Sequence, residues 1–140
     1  MQRPPRSASD LVGGIVYFAR MCDKIRLQAA GKLTEDYHDH LGKGSDARMC
    51  SYLRVSYEAL KVKVLSTPDD ADVFEWCRQI GRELTEIDVQ VWNGFARKRG
   101  WNDPDGGSEM LAKFKTAADM ADREDVRTFF EFYDADEGRA

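Results

Sequence analysis

Arg20, Asp23, Lys24 and Arg26 are the residues of this chain best placed to do chemistry. On a helix Arg20 and Lys24 stand on adjacent turns of one face, and Asp23 is three residues from both Arg20 and Arg26. One carboxylate among three cations leaves positive charge that needs an acid from elsewhere in the chain or an anionic ligand. A guanidinium fork suits either a carboxylate or a phosphate. The expected chemistry is therefore binding of a small anion. The alternative is an ordinary ion-pair network, in a protein that acts without chemistry through an acidic tail or an apolar surface patch.

Other constellations carry less. His38 and His40 would point the same way in an extended segment and could share a metal, but no third ligand is fixed by spacing, so no metal site is assigned. The stretch Asn102-Asp103-Pro104-Asp105-Gly106 resembles a calcium loop only until Trp101 and Ala112 fall on its first and last ligand positions. It reads as a turn. There is no phosphate-binding glycine loop, nucleophile elbow or paired-histidine zinc helix. Cys22, Cys50 and Cys77 form no Cys-x-x-Cys pair and sit among apolar neighbours, as small core residues do. No cofactor is implied, and whether the protein is an enzyme stays open.

Arg97, Lys98 and Arg99 beside Trp101 could touch nucleic acid, yet their place at a helix end explains them, and the net charge of −4 argues against such a partner. That charge is uneven: +4 up to Leu65 (eleven Lys and Arg, seven Asp and Glu) and −8 thereafter (ten and eighteen). Two halves of opposite sign can attract one another within one fold. The segment from Asp119 to Glu137 is acidic and aromatic, with Phe129, Phe130, Phe132 and Tyr133 expected to dock its helix. No run approaches the roughly 18 apolar residues of a membrane span, and the first residues lack a signal-peptide core. A cytoplasmic protein is expected, with a protein partner or homo-oligomer left open.

The elements that position these residues read as helices throughout. Ser7 and Asp10 are spaced as a capping box, and Leu11, Ile15, Phe18, Cys22, Ile25 and Ala29 make one apolar stripe, which predicts a first helix from Ser7 to about Ala30, ended by Gly31. Val12, Val16, Tyr17, Met21 and Leu27 make that helix apolar nearly all round, so burial on more than one side is expected. Residues 34–44 read as a polar loop or short extended segment. Ser45 and Ser56 cap two short helices, and Thr67-Pro68-Asp69-Asp70 opens another that stops at Gly81. Thr85 and Asp88 form a capping box for a helix ending at Arg97-Lys98-Arg99; further helices follow from Ser108 and from about Asp125. At 140 residues, 42% hydrophobic and 33% charged, the chain can bury a core without metals or disulfides. The expectation is an all-α fold: a compact bundle of six or seven helices with short loops, one domain over 7–140 behind a flexible leader over 1–6.

The run from Leu11 through Arg20, Met21, Asp23, Lys24 and Arg26 resembles the opening signature of the bacterial domain-of-unknown-function family numbered 5069. Tyr37, the segment Trp92-Asn93-Gly94-Phe95 with Arg99 behind it, and the ending from Arg123 to Glu137 resemble later motifs of that family, in order. The stretch from His38 to Arg48 matches none of its pattern. The resemblance implies a compact helical domain and no assigned activity. It marks Arg20, Asp23, Lys24, Arg26, Tyr37, Trp92 and Asn93 as family-like positions. On that basis the expected ligand site is the first-helix cluster with Tyr37 and Trp92 as walls and Asn93 beside them.

Overall fold

The computed structural model describes residues 1–139. They form seven α-helices and one 3-10 helix, with no strand among the described residues. The helices are α1 (Phe18–Ala29), α2 (Ser45–Leu53), α3 (Tyr57–Ser66), α4 (Asp70–Ile80), α5 (Glu86–Lys98), α6 (Gly107–Ala117) and α7 (Phe129–Asp136). The eighth helical segment, one more than expected, is the 3-10 turn Glu35–His40, in the stretch read as a loop or extended chain. Its contacts divide the chain into two compact units, Met1–Trp92 and Asn93–Ala140, and α5 contributes residues to both.

In the first unit α3 packs against α1, α2 and α4. Its core holds Ile15, Phe18, Met21, Cys22, Met49, Leu53, Leu60, Val64, Val73 and Cys77, all essentially sealed from solvent. The Phe18 and Phe74 rings meet edge to face at 5.3 Å, an arrangement aromatic quadrupoles favour. In the second unit α6 and α7 pack together around Leu111, Met120, Val126, Phe129 and Phe132, with Phe114 and Tyr133 at the margin. The aromatic residues of the acidic ending thus do dock α7.

The first helix starts eleven residues later than its apolar spacing suggests. Val12 and Ile15 exchange both backbone hydrogen bonds at 3.1 Å, closing a two-residue turn over Gly13 and Gly14. Both glycines have positive φ, 60° and 82°, the requirement of the tight hairpin turn that continuous helix cannot meet. Gly13 is needed twice over, since a Cβ there would lie 2.1 Å from the Phe74 ring. The Ser7 hydroxyl accepts from Ser9 N–H in a local turn instead of capping a helix. Leu11, assigned to the stripe, is exposed, as is Ala29, whereas Ile15 through Ile25 are buried on every side.

Residues 1–6 make contacts that local sequence does not reveal. Pro5 is buried, Arg3 N–H donates to the Lys32 carbonyl, and Arg6 N–H donates to Asp23 at 2.9 Å. The Asp23 carboxylate, on the face of α1, thus meets both the Arg3 side chain and the Arg6 backbone.

Several helix ends follow the sequence signals. The Ser56 hydroxyl accepts from Ala59 N–H at 3.1 Å, and Thr85 and Asp88 make the full reciprocal capping box at 2.9 and 3.1 Å. Gly81 ends α4, where a Cβ would come within 2.1 Å of the Leu53 carbonyl oxygen. The cap of α4 is Asp69, accepting from Ala71 N–H, while Thr67 closes α3. The last helix begins at Phe129 because Thr128 caps it through Glu131 N–H at 3.2 Å.

Candidate functional site

The first-helix cluster is built around a carboxylate that its own helix does not supply. Asp46, in the first turn of α2 and fully buried, accepts through one oxygen from Lys24 Nζ at 2.8 Å and from the Tyr17 hydroxyl at 2.7 Å. Its other oxygen accepts from Gly42 N–H at 3.0 Å, and Lys24 Nζ also donates to the Tyr17 hydroxyl at 3.0 Å. Ammonium, hydroxyl and carboxylate thus close a three-membered ring of hydrogen bonds with almost no exposure. Charge-assisted bonds of this kind are roughly twice as strong as neutral ones. A buried pair so satisfied is costly to break from one side, because the remaining charge keeps its desolvation penalty.

The ring also holds a strained backbone. Tyr17 precedes α1 with φ 77° and ψ −29°, the left-handed region that a bulky side chain rarely enters. Such conformations cost on the order of 1–3 kcal/mol and persist only where the surroundings over-determine them. Here the hydroxyl is fixed by Asp46 and Lys24, and the Tyr17 N–H donates to the Ala8 carbonyl at 2.8 Å.

The other members find partners in turn. Asp23 takes both prongs of the Arg3 guanidinium at 2.8 and 2.9 Å. Arg3 is half exposed, so this pair adds less than the buried one. Arg26 pairs closely with Asp70 at the start of α4 and donates to the Thr67 carbonyl at 2.9 Å. Arg6 reaches Asp70 as well, at 3.5 Å, and Asp10 at 3.0 Å. Arg20 is 1% exposed, donates to the Arg6 carbonyl at 3.2 Å, and lies 5.9 Å from the Tyr37 ring centre.

The structure therefore joins Arg20 to Tyr37 and ties Asp23, Lys24 and Arg26 to separate partners. Trp92 is buried, donates from its indole N–H to the Val16 carbonyl at 2.9 Å and stacks against Tyr52 at 5.3 Å. It braces the chain one residue before Tyr17. Asn93 is half-buried and belongs to the second unit. Sequence reasoning passed over Asp46, Tyr17 as a hydrogen-bonding group, Arg3, Arg6 and Asp70. A groove of about 310 Å³ in the first unit is lined by Gly13, Ala71, Phe74, Arg78, Glu83, Leu84 and Val89, and none of the candidate residues reaches it.

His38 lies in the 3-10 helix with its ring nitrogen 2.9 Å from the Leu33 carbonyl, and no group of three metal-ligating side chains occurs among the described residues. Asp103 and Asp105 turn inward to Arg99, 3.6 and 2.7 Å away, and Asp103 also accepts from Gly100 N–H, completing a turn.

The cysteines are free and buried. Burial pushes the thiols of Cys50 and Cys77 up to about 12 and that of Cys22 higher still. Since the thiolate is the nucleophile, none should be alkylated by iodoacetamide at pH 8 within the time that labels the urea-unfolded chain completely. Rapid labelling of one thiol in the native protein would show that its neighbourhood opens.

A helical protein whose first-helix Asp23, Lys24 and Arg26 are drawn into buried and half-buried ion pairs is the class these observations define. The chain belongs to the DUF5069 family: the model described as "Domain of unknown function (DUF5069)" matches residues 2–139. No curated protein matches it. No helix among the described residues is long and apolar enough to cross a membrane.

Proposed function

We propose that this protein is a non-enzymatic interaction module in which the first-helix cluster is a structural ion-pair network. The observation that carries the reading is Lys24 paired with Asp46 while 5% and 0% exposed, with Tyr17 completing the bonding of both. A carboxylate or phosphate bound there would have to displace Asp46 from Lys24 and Asp70 from Arg26. The network's role is to fix the left-handed turn at Tyr17 and so the direction in which α1 leaves the Gly13-Gly14 hairpin. Three free cysteines suit a reducing compartment, and we place the protein in the cytoplasm on that ground.

The competing reading, a site for a small anion at Arg20, Asp23, Lys24 and Arg26, is separated by thermal unfolding in phosphate, citrate and acetate at constant ionic strength. A ligand at a hundredfold its Kd adds about 2.7 kcal/mol to stability, which moves the midpoint by several degrees. The network reading expects no saturable rise over the chloride control. A saturable rise with any of the three anions overturns it and restores the ligand site.

A further inference from the structure

We propose that the groove in the first unit receives a lysine side chain of a partner protein. The inference rests on the interaction-module reading for its kind of partner and adds the place of contact. The groove, of about 310 Å³, is lined by Gly13 of the hairpin, by one face of α4 and by residues of the segment 83–89. All of them belong to Met1–Trp92. Its volume lies at the lower limit of small-molecule pockets, so the occupant is small or is a single side chain.

The walls are apolar. Phe74 is buried, Leu84 and Val89 are half-buried, and the small Ala71 is exposed on the α4 side. Such walls suit an aliphatic stem. Gly13 adds a bare backbone edge, since neither its N–H nor its carbonyl is bonded to another described residue.

The charges select the head of that stem. All three Arg78 guanidinium nitrogens donate: Nη1 to Glu75 at 2.8 Å, Nε to Glu83 at 3.0 Å, and Nη2 closely to the same Glu83 oxygen. Arg78 is thus answered by two acids, and one cation against two carboxylates leaves a net charge of −1. The other Glu83 oxygen, Oε2, accepts from no described residue. An anion entering the groove would meet an arginine already paired and a surplus carboxylate; a cation is complementary. A single open oxygen serves the compact ammonium of lysine, whereas arginine's planar fork is matched to both oxygens of a carboxylate. Lysine's four-carbon stem can lie along Phe74, Leu84 and Val89 while its ammonium stays in water beside Glu83, which is 64% exposed. The Gly13 carbonyl is a second acceptor on the same lining.

The test is titration of the full chain, carbon-13 labelled at its methyl groups, with N-acetyl-lysine methylamide. The Leu84 and Val89 methyl signals should shift saturably with a millimolar midpoint. The capped norleucine analogue keeps the stem without the ammonium and should bind about threefold more weakly or worse. Glu83→Gln should weaken the lysine probe by a similar factor. Ala71→Phe, at an exposed position of α4, should fill the groove and abolish the shifts, with the helical spectrum unchanged in both variants. No saturable shift at Leu84 and Val89, norleucine equal to lysine, or unchanged binding in Glu83→Gln or Ala71→Phe would each overturn the proposal. So would n-butylamine saturating a groove that the capped lysine cannot enter, because the site would then take a free amine. No residue of the first-helix cluster lines the groove, so these outcomes leave the interaction-module reading intact; saturable anion binding at that cluster is what overturns it.

Discussion

Replacing Asp46 with alanine is expected to cost about 3–5 kcal/mol, the range for breaking a buried ion pair from one side. The substitution removes the carboxylate paired with the Lys24 ammonium, which is 5% exposed, and an acceptor of the Tyr17 hydroxyl. It also orphans Gly42 N–H. Urea denaturation of Asp46→Ala beside Lys24→Met and the double variant checks the source of the loss. Lys24→Met alone leaves a buried carboxylate with two remaining donors, so it should cost less than Asp46→Ala. The double variant should recover part of the loss, because the ammonium that lost its carboxylate is gone as well. Additive single effects would mean that the two groups do not act as a pair.

Gly81→Ala is expected to be nearly as damaging, at about 3 kcal/mol or more, within the range reserved for named steric mechanisms. A methyl group there would lie 2.1 Å from the Leu53 carbonyl oxygen and 2.8 Å from that of Cys77. Both obstacles are backbone, so no rotamer change relieves them; the end of α2 or of α4 has to move. Gly31→Ala is the informative companion. Unlike Gly81, whose φ is −97°, Gly31 is left-handed at 68°, but open space surrounds the new methyl, so only the conformational penalty of about 1 kcal/mol remains. If both variants lost the same stability, the close approach at Gly81 would be refuted.

What could be read from the sequence was local. Ser56, Gly81 and the Thr85–Asp88 box mark helix ends through groups within four residues of one another, and such signals survive folding. Thr128 and Glu131 make another box of the same kind, which places the start of the last helix at Phe129 and not near Asp125. The Gly13-Gly14 pair between Val12 and Ile15 was likewise a legible hairpin signal, masked by apolar spacing that continued across it. The site was different. Arg20, Asp23, Lys24 and Arg26 announced a surplus of positive charge, and Tyr37 does lie beside Arg20. The acids that answer the surplus are Asp46 and Asp70, 22 and 44 residues away from the bases they meet. No periodicity links those positions. The left-handed Tyr17 was equally hidden, since a bulky residue takes that conformation only when distant groups hold its hydroxyl.

The most direct test of the network is the nitrogen-15 spectrum of the Lys24 side chain, with Lys24→Met assigning the signal. An ammonium bonded to Asp46 and Tyr17 away from water should exchange its protons slowly and give a distinct cross-peak near neutral pH. That peak should stay where it is as phosphate is added. A Lys24 signal lost to rapid exchange with water, or one that shifts saturably with phosphate, would contradict the sealed network and show that Lys24 is open to an anion.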